Sequence, residues 1–406
     1  MRFTVVSALF LLAAEATTVL GKSSKRCQSS FNAPNVAPHA GSNNKNSTSS
    51  GGAPTNNSTA TDTPGYNSSN DGSSTNDTAS ASEVKGKVFS VEDKYAGDSF
   101  FDGFDFETFA DPTHGNVNYV SQSQALDNKL AYVQDDGVAV MKVDNTSTVQ
   151  SGGNRDSVRI TSKKSYSTGL FVLDVASMPT GCATWPAFWL VGPNWPAGGE
   201  IDILEGVNEN VNAQYTLHTN PGCNLDTSFE KSASKRKRSS FTGKARHTRR
   251  AMNNAKSALA FTGTILTSNC DATSNSNTGC GVRDPSDQSY GAPLNAAGGG
   301  VFATLLDSTG VAIWFFTRSS IPKDLTSGKP QPTGWGSPRA FWSSTSCPSS
   351  TYFRSQQIVI NTTLCGDWAG AAYSSSGCPG TCADRVANPK NFDNAQWKIN
   401  SVIVYS

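Results

Sequence analysis

Three acids stand close together in Gly198-Gly199-Glu200-Ile201-Asp202-Ile203-Leu204-Glu205-Gly206, interleaved with apolar residues. Carboxyl groups so grouped suit proton transfer, nucleophilic attack or cation binding. On a β-strand, Glu200 and Asp202 share one face and Ile201 and Ile203 the other. Strict alternation then places Leu204 with the acids and Glu205 in the interior, where a lone carboxylate is costly. A β-bulge at Ile203-Leu204 adds one residue and returns Glu205 to the acidic face, so the pattern predicts a bulge there. The two Glu Cα atoms are then about 13 Å apart, four strand steps of about 3.3 Å. Inward-leaning side chains bring the carboxyls to about 5–6 Å. That suits double displacement at a sugar: one group attacks the anomeric carbon, the other protonates the leaving oxygen and then activates water. Asp202 lies between them, and its charge is expected to keep Glu205 protonated. A calcium site and a solvated charged face are the competing readings.

The flanks favour sugar chemistry. Trp185, Phe188, Trp189 and Trp195 lie just upstream, with Pro193, Gly198 and Gly199 shaping the approach. Sugars present apolar C–H faces to which aromatic platforms are suited. Trp185 and Trp195 are the candidates for the cleft, whereas Phe188 and Trp189 read chiefly as core. No G-x-S-x-G occurs and the cysteines look paired, which argues against a serine or cysteine hydrolase.

The elements that must position these groups are strands. Of 406 residues, 36% are hydrophobic and 16% charged, with 36 Gly and 19 Pro, a balance that disfavours a helical bundle. Short apolar or alternating runs separated by turn residues recur at 137–143, 157–161, 169–175, 187–191, 213–218, 301–306, 311–317, 356–361 and 397–405. Many short strands in one unit of about 300 residues predict an all-β sandwich or barrel.

The remainder of the chain has a different character. Residues 1–21 read as a secretory signal, with the apolar run Phe3 to Ala14 too short to span a bilayer; an uncleaved signal anchor is the alternative. Residues 22–84 read as a disordered, glycosylated stalk. From Gly41 to Ser82, 26 of 42 residues are Ser, Thr or Asn, with sequons at Asn46, Asn56, Asn57, Asn67 and Asn76. The folded domain is assigned to 85–406. Within it, 228–259 reads as a basic insertion, or a retained intron. Glu230 to Lys256 holds ten Lys or Arg and one acid, and without it the remaining 23 basic and 31 acidic residues leave −8. That balance disfavours nucleic-acid binding. Of nine cysteines, Cys27 precedes the stalk and the other eight fit four disulfides of an oxidising compartment, in any of the 105 possible pairings. With no C-x2-C pair, a zinc site is disfavoured. No GPI-type hydrophobic tail is present.

The stretches Cys182-Ala-Thr-Trp185-Pro-Ala-Phe-Trp189 and Trp195-Pro-Ala-Gly-Gly-Glu200-Ile-Asp202-Ile-Leu-Glu205-Gly resemble glycoside hydrolase family 16. They are most similar to its fungal secreted endo-β-1,3(4)-glucanases, the laminarinase type. The E-x-D-x-x-E spacing matches that branch, one residue longer than in the lichenase and transglycosylase branches. Asp111-Pro-Thr-His114-Gly, Thr216-Leu-His218-Thr, Trp314-Phe-Phe and Cys365-Gly-Asp-Trp368 add to the resemblance, which runs from about Tyr95 to Ser406; the stalk and the basic segment lie outside it. The resemblance implies a β-jelly-roll sandwich of two antiparallel sheets with a concave cleft. It also implies Glu200 as nucleophile, Glu205 as acid/base and Asp202 as assisting carboxylate. It places Trp185 and Trp195 against glucosyl rings and His218 near the acid/base, with Arg159 and His114 bordering the cleft. The expected partner is a β-glucan, acted on by a secreted or wall-associated monomer. The expected chemistry requires no cofactor or metal, and a structural calcium is left open. A glucan transglycosylase and a non-catalytic glucan-binding protein on the same fold are the alternatives.

Overall fold

In a computed structural model, residues 87–228 and 260–406 are described. The signal, the stalk with its sequons, Cys27 and all but the first residue of the basic insertion lie outside the described residues. All nine runs read as strands form strands, among them Gly169–Ser177, Thr184–Val191, Gln214–His218, Gln357–Leu364 and Gln396–Tyr405. Shorter strands such as Phe104–Phe106, Val117–Tyr119 and Thr264–Ile265 join them.

Two antiparallel eight-stranded sheets make up a jelly-roll sandwich. One orders its strands Ala340–Ser343, Gly310–Thr317, Gly300–Asp307, Gly169–Ser177, Gln396–Tyr405, Ala139–Lys142, Ala131–Val133, with Val91–Tyr95 also paired to Gln396–Tyr405. The other orders Thr264–Ile265, Cys280–Arg283, Gln214–His218, Glu200–Glu205, Thr184–Val191, Gln357–Leu364, Arg159–Ser162, Phe104–Phe106. Inward side chains of both sheets form one core. Phe171, Leu173, Phe302 and Ile313 of the first meet Phe188, Leu190, Ile201, Leu217 and Ile360 of the second. Each such side chain contributes about 1.5–3 kcal/mol on burial.

Gly300–Asp307 and Gly310–Thr317 are buried along nearly their whole length rather than alternately. Their second face packs Val301, Leu305, Trp314 and Phe316 under Leu325 and Trp335, which explains two apolar runs with no polar alternation.

The eight cysteines of the domain pair as Cys182–Cys378, Cys223–Cys347, Cys270–Cys280 and Cys365–Cys382. The first ties the segment 365–382 to the chain just ahead of the Thr184–Val191 strand, and the last closes that segment on itself. Four buried links of this kind belong to an oxidising compartment. Among the described residues no helix is long and apolar enough to cross a membrane.

Candidate active site

The acidic strand, Glu200–Glu205, lies in the middle of its sheet. Gly199 opens it at φ +77°, and a Cβ there would sit 2.3 Å from the Tyr352 carbonyl oxygen, so only glycine fits. Glu200 faces His218, and Asp202 faces Thr216 on one side and Trp189 on the other. Glu205 then faces Gln214 and Ala187. Three steps on the acidic strand thus match two on each neighbour, which is the signature of a bulge with Ile203 as the extra residue. Ile201, Ile203 and Leu204 are fully buried. The predicted bulge is present, and Glu205 returns to the face of Asp202.

Tryptophans hold the outer acids. The Trp195 indole N–H donates to Glu200 Oε2 at 2.5 Å, and the Trp185 N–H to Glu205 Oε1 at 2.7 Å. Trp185 is braced edge-on by Trp368, with ring centroids 5.6 Å apart, and Trp368 belongs to the disulfide-tied segment. Trp195 is 43% exposed, leaving ring surface open. Phe188 is core, as read. Trp189 is not: its N–H donates to Asn361 Oδ1 at 2.8 Å, and Asn361 Nδ2 donates to the Tyr119 hydroxyl at 3.2 Å. Its alternation with Phe188 puts it on the acid face beside Asp202, where it supplies one wall.

His218 lies within the acidic cluster, against Asp202. Its Nε2 lies 3.5 Å from Asp202 Oδ2, while Nδ1 pairs with Asn277 Oδ1 at 2.7 Å. In register it stands opposite Glu200. Arg159, nearly buried, stacks its guanidinium 5.0 Å from the Trp189 ring and 5.0 Å from the Phe109 ring, at the edge of the acid face. His114 stands apart from the acids. It pairs with Asp367 at 2.9 Å in the open, and lines a cavity of about 520 Å³ with Phe109, Asp111 and Tyr119 that none of the three acids lines.

Burial dominates the electrostatics. Glu205 is pushed up to about 8, first by loss of solvent and then by the Glu200 charge, with the Trp185 N–H pulling the other way. Asp202 is held well above the usual carboxylate range by burial first, then by the charges of Glu205 and Glu200. Burial is the largest cause for both groups, and the charge interaction between Asp202 and Glu205 adds to it. Asp202 Oδ2 has no hydrogen-bond partner that would favour ionisation. Together the groups supply a carboxyl acid near neutral pH, an outer carboxyl accessible from the exposed side, and a buried carboxyl between them whose ionisation is disfavoured.

Trp185→Phe tests this assignment. Removing a hydrogen bond that favours the ionised form should raise Glu205 by about one unit, since such a bond contributes about 1.5 kcal/mol or more. The alkaline limb of any activity requiring protonated Glu205 should move to higher pH. A limb that stays in place in the pH–rate profile would remove Trp185 from the control of that proton.

A family model described as "XgeA-like, catalytic GH16 domain" matches residues 104–260 and 242–405, two stretches that overlap within the basic segment. The chain is 43% identical over 325 residues to a probable glycosidase of Schizosaccharomyces pombe, covering 79% of this chain and 70% of that protein. It is 38% identical over 334 residues to an endo-1,3(4)-beta-glucanase of Arthroderma benhamiae, covering 80% of this chain and 66% of the relative. Among solved structures, laminarinase 16A of Phanerochaete chrysosporium, with 6-O-glucosyl-laminaritriose in donor and acceptor sites, matches at 40% identity and a TM-score of 0.68. That match covers 79% of this chain and 100% of the other.

Proposed function

The chain belongs to glycoside hydrolase family 16, and from that premise we propose that it is a retaining endo-β-glucanase acting on β-1,3 and mixed β-1,3/1,4 glucans. The observation that carries this reading is the bulge, which puts Glu205, protonated to about pH 8, on the same face as Glu200. A laminarinase among the relatives holds a branched β-1,3 glucan in both donor and acceptor sites, which supports the substrate class.

The reaction follows from the arrangement. Glu200 attacks the anomeric carbon, and Glu205 gives its proton to the departing glycosidic oxygen. Glu205, now ionised, takes a proton from water, which opens the glycosyl ester with a second inversion and so with net retention. Asp202, whose carboxyl burial and the neighbouring acids push upward, sits against Glu200 and holds the nucleophile in place. The Trp195 N–H fixes Glu200 while its exposed ring receives a glucosyl face, and Trp185 fixes Glu205. Arg159 and His114 serve sugar units farther from the cleaved bond. The chemistry asks for no cofactor. The buried disulfides support a secreted or wall-associated protein, which we take to act as a monomer.

Incubation with laminarin, lichenan and cellulose, followed by product sizing and early NMR of the new anomer, tests the reading. Laminarin and lichenan should yield mixed fragments with the β-anomer formed first, and cellulose should remain intact. An α-anomer formed first, or no fragments at all, would overturn it. Products longer than the substrate would show transfer to sugar in place of water.

A further inference from the structure

Glu200, Asp202 and His218 each offer one ligand atom, and these atoms lie within 4.8 Å of one another. Two features of this cluster leave ligand atoms available. Asp202 Oδ2 is buried, 3.5 Å from His218 Nε2, and has no hydrogen-bond partner. His218 Nδ1 lies 2.7 Å from Asn277 Oδ1, and the tautomer that donates to this acceptor leaves the Nε2 lone pair on the side of Asp202. An outer hydrogen bond that fixes the tautomer and orientation of a histidine is the usual support of a metal ligand. One imidazole nitrogen and two carboxylate oxygens suit borderline cations of the zinc and copper type better than calcium, which takes six to eight oxygens.

We propose that Glu200, Asp202 and His218 form a binding site for a borderline divalent cation, Zn²⁺ or Cu²⁺, and that the cation and the glucan exclude one another there. The inference rests on the same site as the proposed glucanase reading, yet it concerns inhibition. A cation bridging Glu200 and Asp202 would occupy the lone pair that attacks the sugar. No bond is made or broken in the sugar.

The test uses the full chain titrated with CuSO₄ in a non-chelating buffer. Calorimetry gives affinity, and electron paramagnetic resonance reports nitrogen coupled to the copper. We expect one site with a single coupled nitrogen. His218→Ala should lose that coupling and weaken affinity at least about tenfold, whereas His114→Ala, at the exposed histidine, should leave it unchanged. Saturating laminaritetraose should displace the metal from the wild type, and Glu200→Gln, which keeps the size of the side chain, should also weaken it. Coupling retained in His218→Ala, or affinity within about twofold of wild type in both His218→Ala and Glu200→Gln, would overturn the site. Simultaneous binding of copper and sugar would overturn the exclusion. Copper binding that depends on His218 in a chain that cleaves no glucan would keep the metal site and sink the glucanase reading, so the two failures are separable.

Discussion

Glu200→Gln is expected to abolish hydrolysis of laminarin, with kcat falling at least about a thousandfold, because an amide cannot form the glycosyl ester. The amide keeps the shape of the side chain and can still accept the Trp195 N–H, which donates at 2.5 Å to the carboxylate. Binding of laminari-oligosaccharides should therefore survive within a few fold. Calorimetry against oligosaccharides beside a turnover assay separates the two quantities. Turnover within tenfold of wild type would take the nucleophile away from Glu200. Intact turnover together with lost binding would assign Glu200 to substrate recognition.

Glu205→Ala should behave differently, and the difference identifies its role. General acid–base groups typically contribute about a hundredfold to ten-thousandfold, so natural glucans should be cleaved slowly. An aryl β-glucoside of laminaribiose needs no proton on its leaving group, and its first step should proceed at a rate close to that of the wild type. The glycosyl-enzyme should then accumulate, because nothing activates water. Azide, which needs no base, should restore turnover and give the β-glycosyl azide. The pH profile carries the same information. In the wild type the acid is protonated below about 8 and lost as pH rises through that value, so activity on glucans should fall on the alkaline side there. In Glu205→Ala that limb should vanish for the aryl substrate. Equal loss on both substrates, with no azide rescue, would assign Glu205 to structure.

The sequence was legible where a local rule had only one way out. Glu205 would fall in the core under strict alternation, and the only local remedy was an extra residue, so the bulge could be placed before any coordinates. The long strands were readable from their periodicity. Phe104–Phe106 and Thr264–Ile265 were not, because two or three residues carry no period. The partners of the site were hidden by distance along the chain. Trp189 meets Asn361, and Trp185 meets Trp368, through strand order and disulfide pairing that eight cysteines leave open. With Phe188 beside it, Trp189 looked like a second core aromatic, although alternation alone sends the two to opposite faces. The raised Glu205 was readable from its charged neighbours, but the larger cause, burial, was not. Linear spacing shows that Asp202 is near, and does not show that Asp202 is itself sealed from water.

The Cys365–Cys382 and Cys182–Cys378 links hold the segment that carries Trp368, and Trp368 props the indole that grips Glu205. Thiol chemistry at the rim is thereby wired to proton chemistry at the centre. With those links reduced the prop would loosen, and the proton on Glu205 would be held more tightly. Such a molecule would not simply switch off. It would drift toward working in more alkaline surroundings, so that the oxidative state of its surroundings becomes a setting of its acidity.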